Sequence, residues 1–176
     1  MPRVAKGVAQ AVVVNSGNAN ACTGRLGLKN ALAMTAATEA ALGLSTGRVL
    51  VGSTGRIGVQ LPMENVVSGI LAAAEILGNT PEHAAHAAEA IMTSDTQPKQ
   101  IAIEFKLGGR TVRLGGMCKG AGMIQPGMSA TGARPAAAPA GSVPGIPTGL
   151  HATMLSFLTT DAAIEAKVLQ AALQQA

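Results

Sequence analysis

Two segments of the chain share one order of elements, and this repeated order constrains the fold more than any other feature. In the first, the β-branched run QAVVV at residues 10–14 precedes a loop-like stretch, NSGNANACTG at 15–24, and a helical pattern follows. In the second, RVLV at 48–51 precedes the Gly-rich turn GSTGRIG, and Pro62 then begins a helix. Strand, loop and helix in repeated order predict a layered α/β fold.

The helices are predicted from the spacing of their apolar residues. In the first helix Leu28, Leu32 and Ala36 recur at helical spacing, and Gly43 stands where the helix would stop. The second helix has a broader apolar face. Its members are Val66, Val67, Ile70, Leu71, Ala74 and Leu77.

The remaining segments predict one more helix, a hairpin and a terminal strand and helix. TPEHAAHAAEAIM has Thr80 as N-cap with Pro81 at the first helical position. Apolar and polar residues alternate on both sides of Gly108 and Gly109, which is typical of a two-residue hairpin. Residues 129–151 are rich in Pro, Gly and Ala without periodicity, which indicates a linker or flexible insertion. The alternating stretch TMLSFLTTD then predicts a strand, and a helical pattern follows it.

The composition limits both the core and the partners. The chain has 176 residues, enough for one domain with a sizeable core, and no Trp or Tyr, so the core must use Ala, Val, Leu, Ile and Met. Its net charge is +4, but the basic residues are scattered and no aromatic residues lie between them, so we expect no nucleic-acid partner.

The cysteines and the N-terminal segment predict the compartment. Cys22 and Cys118 lie far apart without CxxC spacing, which argues against a zinc site and against a disulfide framework. The first apolar run is short and is broken at Asn15, so it is neither a signal peptide nor a membrane span. We therefore expect a soluble, cytoplasmic protein with no membrane partner.

Several short motifs have ordinary interpretations. GLSTG at 43–47 matches the GxSxG nucleophile pattern, but a helix precedes it and a strand follows, so a loop is predicted. His83 and His86 are three residues apart without a third ligand, so surface histidines and no metal site are expected. The turns GSTGRIG and CKGAGM are either tight turns or backbone amides directed at an anion, and the motifs alone do not decide between the two.

Five stretches in a fixed order carry a family resemblance. They are NSGNANACTG (15–24), STGRIG (53–58) followed by LP (61–62), TSDTQPK (93–99), KGAGMIQP (119–126) and ATMLSFLTTDA (152–162). With them the chain resembles the ornithine acetyltransferases, also called bifunctional glutamate N-acetyltransferases, of arginine biosynthesis.

The resemblance implies a fold and its division. The fold would be a layered α/β sandwich of the ornithine acetyltransferase and DmpA-like type, incomplete at both ends. Residues 1–128 would be an α-chain-like acetyltransferase domain, 129–151 a Pro/Gly/Ala-rich insertion or flexible loop, and 152–176 the start of a β-chain-like region.

The resemblance also implies an N-terminal nucleophile. Family members are made as one precursor that cuts itself between Ala and Thr, which correspond here to Ala152 and Thr153. The freed Thr153 would attack the acetyl donor, with its own α-amine, of ordinary pKa about 7.7–8.0, as general base. The Thr54 side chain and the Gly55 amide would form the oxyanion hole.

The same resemblance implies the substrates. Thr93, Lys119 and Thr153 match positions that bind the amino-acid substrate, and a lysine ammonium suits its carboxylate. N-acetylornithine would give its acetyl group to Thr153, ornithine would leave, and glutamate would take the acetyl group. Some members also accept acetyl-CoA, and no cofactor or metal is required. The α and β chains of one precursor would assemble into a hetero-oligomer.

The sequence departs from the family pattern at several positions. Residues 129–151 separate Met128 from the predicted scissile bond and include a second Ala-Thr pair at 130–131, whereas family members are longer at both ends. Ser94 replaces a usual Thr, and Arg56 replaces a usual apolar residue beside the predicted oxyanion hole. The alternative function is therefore a truncated, inactive α/β domain that acts through association with a partner, which exposed strand edges would favour.

Overall fold

The computed structural model describes residues 7–120 and 154–175, and within these ranges the chain forms five strands and four helices. The predicted mixed α/β class is confirmed. The predicted insertion at 129–151 lies outside the described residues, so the predicted division into 1–128, 129–151 and 152–176 stays a prediction. In chain order the elements are β1 (Ala11–Asn18), α1 (Gly24–Ala41), β2 (Val49–Arg56), α2 (Met63–Glu75), α3 (Pro81–Ala90), β3 (Lys99–Leu107), β4 (Arg110–Lys119), β5 (Leu155–Thr160) and α4 (Ala166–Gln175).

The first sheet is a parallel pair of β1 and β2, and both strands are longer than predicted. Pairing runs from Ala11 opposite Val49 to Asn18 opposite Arg56. The prediction that the loop begins at Asn15, and that β2 gives way to a turn after its Val49–Val51 stretch, was therefore wrong. Each polar or glycine residue at the end of one strand finds a ladder partner on the other, so backbone pairing overrides the local preference for a loop.

Helix α1 forms as predicted but buries a different face. The residues on its buried side are Gly27, Asn30, Met34, Thr35, Thr38 and Glu39. The predicted apolar residues Leu28 and Leu32 are 66% and 53% exposed. Polar residues can face inward here because the buried Thr38 hydroxyl donates to the Met34 carbonyl at 2.9 Å, and Glu39 accepts from the backbone N–H of Gly47 at 2.7 Å.

The core of the first half is small. Met34, Leu61 and Ile70 form a buried cluster, with Val13 and Val66 packed against it. Helix α2 therefore docks through part of its predicted face, while the outer members of that face, Leu71 and Leu77, remain 49% and 67% exposed.

The predicted starts of the second and third helices are confirmed. Pro62 is the N-cap of α2, and the Thr80 side chain caps α3 by accepting from the His83 N–H. Gly43 follows the end of α1 with a positive φ of 64°, as expected for a helix stop. GLSTG lies in the connection between α1 and β2, so the predicted loop is confirmed there.

The second sheet is antiparallel in the order β3-β4-β5. Gly108 and Gly109, with φ of 57° and 78°, form the predicted two-residue turn between β3 and β4. The predicted strand after residue 153 is confirmed as β5. The helix after it begins at Ala166 in α4, later than the pattern suggested.

The two sheets approach each other where β2 has no side chain. A Cβ built on Gly52 would lie 3.7 Å from both Leu155 and Phe157 of β5. Because Leu155 pairs with Lys119, this contact brings the end of β4 close to β2. No helix of the described ranges is long and apolar enough to cross a membrane.

Candidate functional site

A cleft opens at the carboxyl ends of the parallel strands β1 and β2, where α/β sheets commonly bind ligands. Its volume is about 530 Å³, and its lining residues are Ser16, Gly17, Gly55, Arg56, Met92, Thr93 and Ser94. The Ser16 hydroxyl donates to the Ala90 carbonyl at 2.7 Å, which ties the end of α3 to β1. This tie holds the segment after α3 beside the strand ends.

Lys119, the last residue of β4, brings three predicted site residues together. Its ammonium donates to the Thr54 hydroxyl at 3.1 Å and to the Thr93 hydroxyl at 2.5 Å. Lys119 is only 6% exposed. Most lysines lie on the protein surface with the ammonium in solvent. The Lys119 ammonium is instead buried and hydrogen-bonded to hydroxyls from two other segments, so the fold specifies its position.

Asp95 completes this cluster, and the sequence reasoning missed it. Its carboxylate accepts from Lys99 at 2.7 Å, from the Gly120 N–H at 2.7 Å and from the Thr93 N–H at 3.3 Å, and the Lys119 ammonium lies 3.8 Å away. The hydrogen bonds from Lys99 and then from Gly120 hold the pKa of the Asp95 carboxyl well below its usual range. The signal available was the Asp-to-Lys spacing of four inside TSDTQPK.

Gly55 has a backbone that only glycine fits. Its φ is 125°, and an added Cβ would lie 2.3 Å from the carbonyl carbon and oxygen of Gly17 on the paired strand. This close approach explains the glycine at this position independently of any catalytic role.

Alternate residues of β2 bond to β1, and this alternation directs the N–H of Gly55 away from β1. Ala11 donates to the Arg48 carbonyl and Ala19 to the Arg56 carbonyl, so the even-numbered residues of β2 bond to β1. The N–H of Gly55 therefore points to the other edge of β2, where no strand of the described ranges pairs. It is available to an acceptor, as is the proton of the Thr54 hydroxyl, whose oxygen accepts from Lys119.

Arg56 gives the lining of the cleft a positive charge. The side chain is exposed and lines the opening beside Gly55. No acidic side chain in the described part of the chain pairs with it. The lining therefore combines the Arg56 guanidinium with hydroxyl and amide donors, which suits an anionic ligand, and the buried Lys119 ammonium donates to the Thr93 hydroxyl of that lining.

Other predicted positions lie elsewhere. Ala152 and Thr153, the predicted cleavage site and nucleophile, lie outside the described residues. His83 bonds to Thr80 at the start of α3, away from the lining residues of the cleft. Over residues 7–120 and 154–175, no group of three or more His, Cys, Asp or Glu side chains is arranged to hold a metal ion. Cys22 and Cys118 are both free thiols.

Solved structures of other proteins resemble this fold. One is the crystal structure of the arginine biosynthesis bifunctional protein ArgJ from Bacillus halodurans, with 42% identity and a TM-score of 0.62 over 67% of this chain and 61% of that chain. Another is ornithine acetyltransferase of Mycobacterium tuberculosis complexed with ornithine, with 35% identity and a TM-score of 0.63 over 71% of this chain and 66% of that chain.

Curated relatives and a family model agree with these structures. The ArgJ bifunctional protein of Symbiobacterium thermophilum is 48% identical over 99% of this chain and 37% of its own length. That of Bacillus subtilis is 44% identical over 94% of this chain and 34% of its own length. The chain thus spans about a third of the length of these relatives. The ArgJ family model matches residues 1–176, which confirms the resemblance read from the motifs, and the chain belongs to the ArgJ family.

Proposed function

We propose that this chain forms part of an acetyltransferase site that moves the acetyl group of N-acetylornithine to glutamate in arginine biosynthesis. The observation that carries the proposal is the convergence of the buried Lys119 with Thr54 and Thr93 beside the outward-facing Gly55 amide. The relative from Mycobacterium tuberculosis that was solved with ornithine supports this substrate class.

Lys119 and Thr93 bind the carboxylate of the amino-acid substrate in this proposal. The ammonium has three protons, and the Thr93 hydroxyl can turn its own proton toward a ligand while it accepts from Lys119. A carboxylate in the cleft would gain charge-assisted hydrogen bonds from a site that is already desolvated. The positive charge of Arg56 favours the same ligands.

Thr54 and Gly55 stabilise the tetrahedral intermediate. The Thr54 hydroxyl accepts from the Lys119 ammonium, which makes its own proton a better donor to a developing oxyanion. The Gly55 N–H supplies the second donor from the open edge of β2. Losing one such donor costs about 3–4 kcal/mol of transition-state stabilisation in well-studied acyl-transfer enzymes.

Thr153 acts as the nucleophile after cleavage of the Ala152–Thr153 bond. Its α-amine takes the hydroxyl proton as the oxygen attacks the acetyl carbonyl, and the intermediate collapses to acetyl-Thr153 and ornithine, which leaves with the proton. Glutamate then attacks the ester through its amine and regenerates the free hydroxyl. Leu155, two residues after Thr153, pairs with Lys119, and two residues of chain reach at most about 7 Å.

The remaining expectations belong to the same proposal. Acetyl-CoA can serve as an alternative acetyl donor, and acetyl transfer through a threonine ester needs no cofactor and no metal. The α and β chains produced by cleavage stay together in a cytoplasmic hetero-oligomer.

Intact mass and N-terminal sequencing of the purified protein test the proposal. In the wild-type protein we expect a fragment that begins at Thr153. The Thr153→Ala variant should yield no such fragment. The control variant Thr131→Ala, which removes the second Ala-Thr pair, should be cleaved normally. Calorimetry should then show that ornithine and glutamate compete for one site. An uncut chain that binds neither amino acid would overturn the proposal and favour the inactive, partner-binding domain.

A further inference from the structure

We propose that Asp95 is the positioning residue of this site, which places the Lys119 ammonium for the substrate carboxylate; the inference rests on the proposed function. Asp95 lies in the connection between α3 and β3, and its side chain has no exposed surface. A buried carboxylate is unfavourable unless its partners compensate it fully, so its contacts indicate what it does.

Asp95 joins its own segment, residues 93–99, to the end of β4 through its two oxygens. One oxygen accepts from the Lys99 ammonium at the start of β3 and from the Gly120 N–H just after β4, both at 2.7 Å. The other oxygen accepts from the Thr93 N–H at 3.3 Å and lies 3.8 Å from the Lys119 ammonium. Asp95 therefore fixes the backbone on both sides of the Lys119–Thr93 hydrogen bond.

The charges of the cluster leave Lys119 available to a ligand. Asp95 shares one negative charge between two lysines, and its shorter contact is to Lys99. The cluster of Asp95, Lys99 and Lys119 thus keeps a net charge of about +1 in a poorly solvated place, which attracts a carboxylate. Asp95 orients Lys119 without neutralising it, and it touches no substrate itself.

A double-mutant cycle on ornithine binding separates positioning from general stability. Asp95→Asn keeps the shape but removes the charge, and we expect it to weaken ornithine binding by at least about tenfold, the factor that about 1.4 kcal/mol corresponds to. In the Lys119→Met background the same change should weaken the residual binding less than about twofold. The matched control Asp161→Asn removes an aspartate charge from an exposed ion pair with Arg113, outside this cluster, and should leave ornithine affinity within about threefold.

The other outcomes of the cycle also test the positioning role of Asp95. An equal effect of Asp95→Asn in both backgrounds would overturn it, since Asp95 would then act on the fold alone. Should Asp95→Asn not fold, Asp95→Glu, which keeps the charge but moves the carboxylate by one methylene, enters the same cycle with the same two outcomes.

A measurement without ligand separates this inference from the proposed function. If the wild-type protein does not bind ornithine, the proposed function fails, and the NMR resonances of the Lys119 side chain decide the position of its ammonium. These resonances should shift with Asp95→Asn and stay unchanged with Asp161→Asn. Unchanged Lys119 resonances in Asp95→Asn would overturn the positioning role.

Discussion

At the scale of single residues, Gly55 serves the backbone of the sheet and the proposed oxyanion hole together. Its positive φ excludes most side chains, and an added Cβ would lie 2.3 Å from the Gly17 carbonyl. We expect Gly55→Ala to lower the free energy of unfolding by more than the ~1–2 kcal/mol that a left-handed non-glycine residue costs, because the clash adds to the strain. Urea unfolding measures this loss.

Gly58 is the matched control for this prediction. It also has a positive φ, 79°, but nothing lies within 4 Å of an added Cβ. Gly58→Ala should therefore cost only the strain, about 1–2 kcal/mol. Equal losses for the two variants would show that the Gly17 contact is not tight.

Asp95 makes the stability of the protein sensitive to acid. Its pKa is lowered in the folded state relative to about 3.9 in the unfolded chain, so the stability it contributes is present above pH about 4 and is lost as the pH falls below that value. We expect Asp95→Asn to lower the unfolding free energy by about 3 kcal/mol at pH 7 and by progressively less below pH 4.

An exposed aspartate provides the comparison for the acid prediction. Asp161 is also part of an ion pair, with Arg113, but its side chain is 49% exposed. Asp161→Asn should change the unfolding free energy by less than about 1 kcal/mol across the same pH range. A difference between wild type and Asp95→Asn that stays constant down to pH 2 would contradict the linkage.

The site residues differ in how far the sequence can reveal them. Thr54, Thr93 and Lys119 lie in recognisable stretches, and the structure brings them into direct contact. Asp95 lies in one of the same stretches, but its importance comes from burial and from the Gly120 and Lys119 contacts across 25 and 24 residues of sequence. Such contacts depend on the path of β3 and β4, which local patterns do not specify.

At the scale of elements, the sequence predicts where helices and tight turns form. It does not predict which side of a helix is buried or where a strand ends. The Gly108–Gly109 turn and the Thr80 cap depend on neighbouring residues alone, and both are confirmed. The extension of β1 to Asn18 depends on the partner strand, and the buried side of α1 depends on where α2 packs. Tertiary contacts therefore override local preference in both cases.

Gly52 controls how closely β2 and β5 pack, and a graded series tests this. An added Cβ would make ordinary contacts of 3.6–3.7 Å with Val14, Leu155 and Phe157. Gly52→Ala should therefore be neutral or stabilise by up to about 1 kcal/mol, since glycine weakens a strand interior. Gly52→Leu should destabilise by about 1–3 kcal/mol through overpacking. Thermal unfolding measures both, and a neutral Gly52→Leu would show that β5 does not pack here.

At the scale of the whole molecule, the β3 part of one face of the second sheet is exposed among the described residues. Alternate residues of β3, Ile101, Ile103, Phe105 and Leu107, are 68%, 47%, 41% and 56% exposed, and Leu158 of β5 adds to the same face. β3 is also an edge strand within the described ranges. An exposed apolar face on an edge strand favours pairing with another chain.

We therefore expect the 176-residue chain alone to self-associate through this face. Light scattering after size exclusion should show a mass that rises with protein concentration, and Ile101→Lys with Phe105→Lys should reduce it because charges on an edge strand oppose pairing. Gln100→Lys and Ala102→Lys add the same charge to the opposite face of β3 and serve as the control. If the control pair reduces association equally, net charge is responsible; if only the first pair does, the open face of β3 forms the contact between copies.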